Sequence, residues 1–429
     1  MTARAALLLL VAAAPPGGTV SLEDAIRTAL ANQPQVLQAR AGAEAAAARA
    51  DQARAPLLPQ IGGSLSYRRG TANTPESGPT SWAGQDLWTA GATASQLVWD
   101  FGQTTGRWDS ARESAGAQRD GERHTALQVV LGVRTAFFTA RASKDLVGVA
   151  RETLANQEAH LRQIRGFVEV GTRPEIDLAQ ARTDRANAQV QLINAENAYQ
   201  TARARLNQAM GTEGPADYDV ADDTMPAVEG EDQPLEALLA EAIRARPDVA
   251  SLEGQVRAQR ATLGSATAGH FPSLGVAAGI GDSGPEPARA VANWNATATL
   301  TWNFFQGGLT AAQVREARAT LVGIEAQLAA LRQQVRLDVD QAARAVRAAG
   351  AALSAAGEAL LNARERLRLA EGRYQTGKGS IIELGDAQVA LTAAGAQRVQ
   401  ADYALASARA QLLEALGRPA GPGAEAPGR

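Results

Sequence analysis

The chain has 429 residues and a formal charge of −3, with a pI near 5.8, which leaves no basic surface for nucleic acid. It holds no cysteine, so a disulfide framework, a thiolate metal site and a lipid-modified N-terminal cysteine are excluded. Aromatic residues make up 4%, and alanine dominates the helical stretches, so small side chains let helices pack closely without a thick apolar core.

In chain order, residues 1–20 come first, with Arg4 followed by an apolar run from Ala5 to Ala14. This is the pattern of an export signal, too short to cross a membrane as a helix. Nowhere else is there an apolar run of about 18 residues, so no transmembrane helix is expected. Ser21-Leu22-Glu23-Asp24-Ala25 opens a helix, with Ser21 as N-cap and acids in the first turn. Pro34 interrupts it, and an Ala/Arg/Gln-rich helical segment runs on to Pro56 and Pro59. Ile61, Gly63, Leu65 and Tyr67 then alternate with Gly62, Ser64 and Ser66, a strand pattern. After a polar loop from Arg68 to Asp86, a second strand carries Trp88, Ala90, Ala92, Ala94 and Val98 on one face. Asp100-Phe101-Gly102 ends it, and a proline-free helix extends to about Val168. Gly171-Thr172-Arg173-Pro174 turns the chain, with Pro174 suited to a first helical turn, and a return helix ends near Gly211. Residues 212–234 are acidic and Pro/Gly-rich, and read as a linker or equatorial segment.

The whole arrangement then recurs over 235–417. Leu22-Glu23 matches Leu235-Glu236, Pro34-x-Val36 matches Pro247-x-Val249, and Pro59-x-x-Gly62 matches Pro272-x-x-Gly275, all at an offset of 213. After a loop shorter by seven residues, Trp88 matches Trp294, Gly102 matches Gly308, Gly171 matches Gly377 and Gly211 matches Gly417, all at 206. Two offsets held over that distance mark a tandem structural duplication of 21–211.

The second repeat shows the pattern most clearly. Trp294, Ala296, Ala298, Leu300, Trp302 and Phe304 alternate with Asn295, Thr297, Thr299, Thr301 and Asn303, so one strand face is apolar and the other bears amides and hydroxyls. After Gln306-Gly307-Gly308 the period changes. Leu321, Ile324, Leu328, Leu331, Val335, Val339, Ala342, Val346, Ala349, Leu353, Ala356, Leu360, Ala363 and Leu367 follow at steps of three and four, which keep one helical face apolar. An extra four-residue step around Val335 locally unwinds a left-handed supercoil. At ~1.5 Å per residue, Leu309 to Tyr374 predicts a helix roughly 100 Å long. Thr376-Gly377-Lys378-Gly379 breaks it, and Ser380 with Glu383 opens the return helix as a capping box. Residues 418–429 are expected to form a disordered tail.

Each chain thus carries four strands of about ten alternating residues, the length of a tilted membrane strand. Four strands cannot close a barrel, and open edges are not tolerated in lipid. Three copies would give twelve strands, and two copies would give eight.

In this order, twice, these pieces resemble the TolC family of outer-membrane channel-tunnel proteins. The resemblance rests on both Leu-Glu…Pro-x-Val…Pro segments, on Trp99-Asp100-Phe101-Gly102, and on the turns Val170–Leu178 and Tyr374–Leu384. It implies a mainly α fold with a small membrane β portion. Tandem-duplicated helical hairpins of a homotrimer would form an α-barrel in the periplasm, continuous with a 12-stranded β-barrel (four strands per chain) in outer-membrane lipid. The implied function is a passive export duct in a tripartite efflux or type I secretion system, carrying small molecules or polypeptides. A periplasmic adaptor (membrane fusion protein) and an inner-membrane transporter would dock at the hairpin tips. Glu383 and Asp386 match the acidic ring of the periplasmic entrance, and Asp177 and Tyr374 match the network that closes the tip. Gly379 stands where the family's best-known member has an arginine, and Arg173 occupies the equivalent place in the first repeat. Gly171, Thr172, Gly377, Lys378 and Gly379 match the turns that meet the adaptor.

Simpler roles exist for each. Glu383 also suits a capping-box acid and Asp177 a helix-start acid. Tyr374 suits an amphipathic plug at a helix end, and Gly171 and Gly377 suit C-caps. Asp386 lies beyond the first turn, where capping does not explain it, one helical face with Glu383. His124, His160 and His270 are far apart in sequence and none has ligand spacing. There is no phosphate loop and no nucleophile elbow, so neither an enzyme nor a cofactor is expected. Two other readings compete. A periplasmic adaptor would show one hairpin between β domains rather than two repeats, and a soluble coiled-coil scaffold would leave the apolar strand faces exposed.

Overall fold

The structure is a computed structural model that describes residues 18–71 and 82–418. Most of the stretch read as an export signal, and all of the expected tail except Arg418, lie outside the described residues. The elements of the first repeat are β1 (Thr19–Val20), α1 (Leu22–Asn32), α2 (Pro34–Arg54), β2 (Gln60–Gly70), β3 (Gln85–Trp99), α3 (Gln103–Glu169) and α4 (Glu175–Met210). After β4 (Asp219–Val220), the second repeat supplies α5 (Leu235–Ala245), α6 (Pro247–Ala268), β5 (Ser273–Gly284), β6 (Val291–Thr301), α7 (Leu309–Gln375) and α8 (Ile381–Ala415).

Helices α3 and α7 each have 67 residues, about 100 Å at the α-helical rise. Every apolar position that the three-and-four spacing selects in α7 is buried or half-buried, and Val335 and Val339 at the extra step are fully buried. The expected strand through Trp302 and Phe304 stops earlier, at Thr301. The Trp302 indole instead donates to the His270 carbonyl at 3.1 Å.

Among the described residues, 41–71, 82–120 and 250–330 form one compact unit, built on the sheet β2-β3-β5-β6, antiparallel throughout. Directly paired residues share a face, and the register brings the apolar sets of all four strands together. Leu65 pairs with Ala90, Tyr67 with Trp88, Ala92 with Ile280, Ala94 with Ala278, Ile280 with Trp294, and Leu274 with Leu300. The opposite face carries Ser64, Ser66, Thr89, Thr93, Gly279, Asn295, Thr297 and Thr299. The edges, β2 and β6, run in opposite directions. Below the sheet α6 lies close on α3: Ser110 and Thr262 hydroxyls are 2.8 Å apart and Ser265 donates to the Gln103 carbonyl at 2.7 Å. A Cβ on Gly254 would meet Ala117 at 3.0 Å, the close approach that small residues permit.

The second unit comprises, among the described residues, 18–40, 121–249 and 331–418. One of its cores gathers Ala25, Ala29, Val133, Phe137, Phe138, Leu206, Tyr218 and Val220. The segment 212–234, which reads as a linker, is packed into this unit. Tyr218, Val220, Met225 and Val228 are buried, and β4 pairs in parallel with β1. Its acids are used: Asp219 and Asp222 meet Lys144 at 3.1 and 3.0 Å, and Glu231 meets Arg409 at 2.9 Å. Burial tends to raise the Glu231 carboxyl, but Arg409 and the Val228 N–H hold it below the ordinary glutamate range.

The duplication is visible in detail. Gly211 and Gly417 both take left-handed φ, 67° and 69°. A Cβ on Gly211 would lie 2.9 Å from Gln33 Cα, and one on Gly417 2.8 Å from Arg246 Cα. Gln33 and Arg246 are 213 positions apart, Gly211 and Gly417 206 apart, so each return helix ends against the first helix of its own repeat.

Candidate functional site

The two hairpin turns close by the same device. Gly171 (φ 76°) ends α3, where the Thr172 N–H donates to the Phe167 carbonyl at 2.9 Å, and Gly377 (φ 73°) ends α7, where the Lys378 N–H donates to the Arg373 carbonyl at 2.9 Å. These are Schellman closures, for which glycine supplies the left-handed residue. The Ser380 hydroxyl accepts from the Glu383 N–H at 3.1 Å and so caps α8.

The turns are packed against each other. Ile164, Ala181, Leu367, Ala370, Tyr374, Leu384 and Ala387 form one buried cluster drawn from both hairpins. Tyr374 is 1% exposed. The Arg173 guanidinium lies 4.5 Å from its ring centre and donates to its carbonyl at 3.2 Å. Asp177 is buried beside it. Burial pushes the Tyr374 phenol up, with Arg173 opposing and the Asp177 carboxylate beside the hydroxyl reinforcing the shift, although the Asp177 contact falls outside full hydrogen-bond geometry. Arg173, Asp177 and Tyr374, named from sequence, therefore meet in space, with Arg173 making the direct contacts. Gly379 has its own reason: a Cβ there would sit 3.0 Å from the Tyr374 nitrogen and 3.1 Å from the Arg373 carbonyl carbon.

The two acids named from sequence differ. Glu383 is half-buried and paired with Arg373 at 3.1 Å, whereas Asp386 is exposed. Arg373 went unnoticed in sequence, although a cation in the last turn of a helix is itself a signal. A second unforeseen pair is His160 with Glu371 at 3.5 Å, joining α3 to α7. Burial lowers the His160 pKa although Glu371 opposes the shift. With 211 positions between them, no local pattern could have shown it.

On the sheet, aromatic groups gather at both ends of the apolar face. Tyr67 and Trp88 are 4.7 Å apart at the loop end, and Trp99, Phe101 and Phe271 succeed one another at 6.0 and 5.1 Å at the helix end. Aromatic rings flank the apolar band of membrane strands in this way. Among the described residues, no helix is long and apolar enough to cross a membrane, and no His/Cys/Asp/Glu group could hold a metal ion.

The model of the outer membrane efflux protein family matches residues 25–212 and 238–418. The chain belongs to this family. Its members are outer membrane efflux proteins. The toluene efflux pump outer membrane protein TtgC of Pseudomonas putida is 28% identical over 282 residues, 65% of this chain and 57% of TtgC. The pyoverdine export outer membrane protein OpmQ of Pseudomonas aeruginosa is 25% identical over 419 residues, 93% of this chain and 85% of OpmQ. The chain thus spans little more than half the length of TtgC and of the similar P. putida efflux proteins, 57% and 55%. Among solved structures, the outer membrane protein VceC of Vibrio cholerae superposes with TM-score 0.82 at 18% identity, covering 92% of this chain and 96% of VceC. CusC gives TM-score 0.82 at 21% identity, covering 94% of both chains. The fold is the one these efflux proteins share, mainly α with a small β portion.

Proposed function

We propose that three copies of this chain close into a twelve-stranded barrel in the outer membrane and an α-helical tunnel in the periplasm, forming a passive exit duct. The observation that carries this is the four-stranded sheet, with one face apolar across its middle (Ala92, Ala94, Ala278, Ile280, Trp294, Ala296), Asp282 and Gln96 standing nearer its two ends, and two free edges of opposite direction. An antiparallel sheet with such edges is completed by further copies of itself, and only a closed sheet satisfies its edges in lipid. The polar face, with its serines, threonines and asparagine, then lines the lumen. Glu383 and Asp386 form an acidic ring at the periplasmic entrance, with Asp386 its more open member. Arg173, Asp177 and Tyr374 hold the tips closed by tying one hairpin to the other. Gly171, Thr172, Gly377, Lys378 and Gly379 meet a periplasmic adaptor, which links the duct to an inner-membrane transporter. Toluene and pyoverdine, in the names of two relatives, are chemically unlike, which suits a duct without a single selective pocket. Domain bounds follow the repeats, 21–211 and 235–417, with 1–20 as signal peptide.

Density-gradient fractionation of cell envelopes and conductance in planar bilayers test this. The protein should travel with the outer membrane and form ion-conducting pores. Recovery in the soluble fraction, or pure protein that never conducts, would refute it.

A further inference from the structure

We propose that the groove enclosed by α3, α7 and α8 is a binding site for a small organic carboxylate with an apolar body, its head group held by Arg364 and Arg398 and its far end by the Gln388 amide. The site goes beyond the duct reading and does not rest on it. All of its walls belong to the second unit. The groove has a volume of about 340 Å³, the scale of a small-molecule pocket. Gln388 is 7% exposed. Its side-chain oxygen accepts from Gln157 Nε2 at 2.8 Å, while its own Nε2 is buried with no hydrogen-bond partner among the described residues. A buried N–H left unmade is costly, and an acceptor placed in the groove satisfies it.

Arg364 and Arg398 supply the charge. Both line the groove, and neither has an ion-pair or hydrogen-bond partner among the described residues. Arg373 pairs with Glu383 across the hairpin. Nine positions back on α7 and nine on along α8 put Arg364 level with Thr392, about 9 Å along the axis from Arg398. The two helices run antiparallel, and side chains lean toward the N-terminus of their own helix, so the two guanidinium groups lean toward each other. Apolar side chains of Val149, Leu360, Leu367, Leu391 and Val399 complete the walls.

The remaining charges are accounted for. Arg141 is already held by Asp402 at 3.1 Å and by the Asp223 carbonyl at 2.8 Å. Of the two acids on the walls, Asp145 stands 4.0 Å from Arg141, and Glu152 is an exposed acid on α3 that competes with the ligand for the two cations. The first repeat lacks this donor set. At the offset of 206, Glu158, Arg182 and Leu192 are the counterparts of Arg364, Gln388 and Arg398, so packing one long hairpin does not require these residues. An occupant touches α3 of one hairpin and α7 and α8 of the other, and so ties the two together.

Fluorine NMR on the detergent-solubilised full chain tests this, with fluoronaphthoate as the probe. Its line should broaden saturably as protein is added, whereas the neutral alcohol of the same ring, which reports entry into detergent, should show no saturable broadening. Arg364→Gln with Arg398→Gln should weaken binding by about tenfold or more. Arg347→Gln with Arg366→Gln makes the same charge change elsewhere on α7 and should leave binding unchanged. All four arginines are exposed, so these variants keep the fold. Glu152→Gln should tighten binding. A methoxy acceptor at the far end of the ring should also tighten it, and Gln388→Met should abolish that gain. An absence of saturable broadening, or an equal loss from both arginine pairs, would overturn the site and leave the duct standing.

Discussion

Replacing Tyr374 with phenylalanine should leave the tip closed, and replacing Arg173 with methionine should not. The buried Tyr374 hydroxyl meets Asp177 only in a contact outside full hydrogen-bond geometry, so its removal forfeits little. The ring face and the carbonyl, which hold Arg173, survive in phenylalanine. Arg173 loses more. A guanidinium 4.5 Å from a ring centre is worth about 0.5–2 kcal/mol, and a charged donor on a carbonyl about 1.5–3 kcal/mol. Arg173 is half-exposed, so the low ends apply, about 2 kcal/mol per chain. If three tips open together, the closed state loses about 6 kcal/mol, on the order of ten-thousand-fold in the closed-to-open ratio. Single-channel recording in planar bilayers reads this directly: Arg173→Met should raise the open fraction and the mean conductance, and Tyr374→Phe should match the parent. If Tyr374→Phe opened the channel as much as Arg173→Met, the hydroxyl with Asp177 would be the latch, and the guanidinium contact would not.

Three further outcomes follow from particular residues. Ala298 lies on the apolar face of β6 opposite Val276, and arginine there costs about 2–4 kcal/mol at the bilayer midplane, so Ala298→Arg should lower the yield of folded assembly while Thr299→Arg on the other face should not; equal yields would mean the faces are reversed. Asp386→Ala should reduce cation selectivity, measured as reversal potential under a salt gradient, more than Glu383→Ala does, because Glu383 is already paired with Arg373; the opposite order would remove Asp386 from the ring. Glu231 has a lowered pKa in the folded chain, so its contribution is complete above the ordinary value of 4.5 and is lost as pH falls through the folded value. Glu231→Gln should therefore lower Tm at neutral pH and flatten its decline on the acid side; a parallel decline would clear the Arg409 pair of any part in acid unfolding.

The long helices and the strands were legible because their physics is periodic. Leu321 to Leu367 keep steps of three and four, and Trp294 to Leu300 keep steps of two, so element type and the apolar face of each element follow from spacing alone. The turns were legible because only glycine closes a Schellman motif cheaply at 171 and 377. The packing of segment 212–234 is not legible in sequence because Tyr218, Val220, Met225 and Val228 have no regular period, and its acids look like solvent-facing charge until Lys144 and Arg409 are brought against them. At the tip, sequence named Arg173, Asp177 and Tyr374, but which of them touch came only with three dimensions. The pairs Glu383–Arg373 and His160–Glu371 cross a turn or a whole repeat, and spacing carries no information about such contacts. Trp302 and Phe304 continued the alternation beyond Thr301, where the backbone had already left the sheet.

The central claim is that three copies make one duct, and the mass of the detergent-solubilised particle tests it most directly. Light scattering corrected for bound detergent should return about three times the 44.6 kDa chain. A protein mass of one chain would leave the edges β2 and β6 open in lipid, and a mass of two would close eight strands instead of twelve; either value would contradict the account.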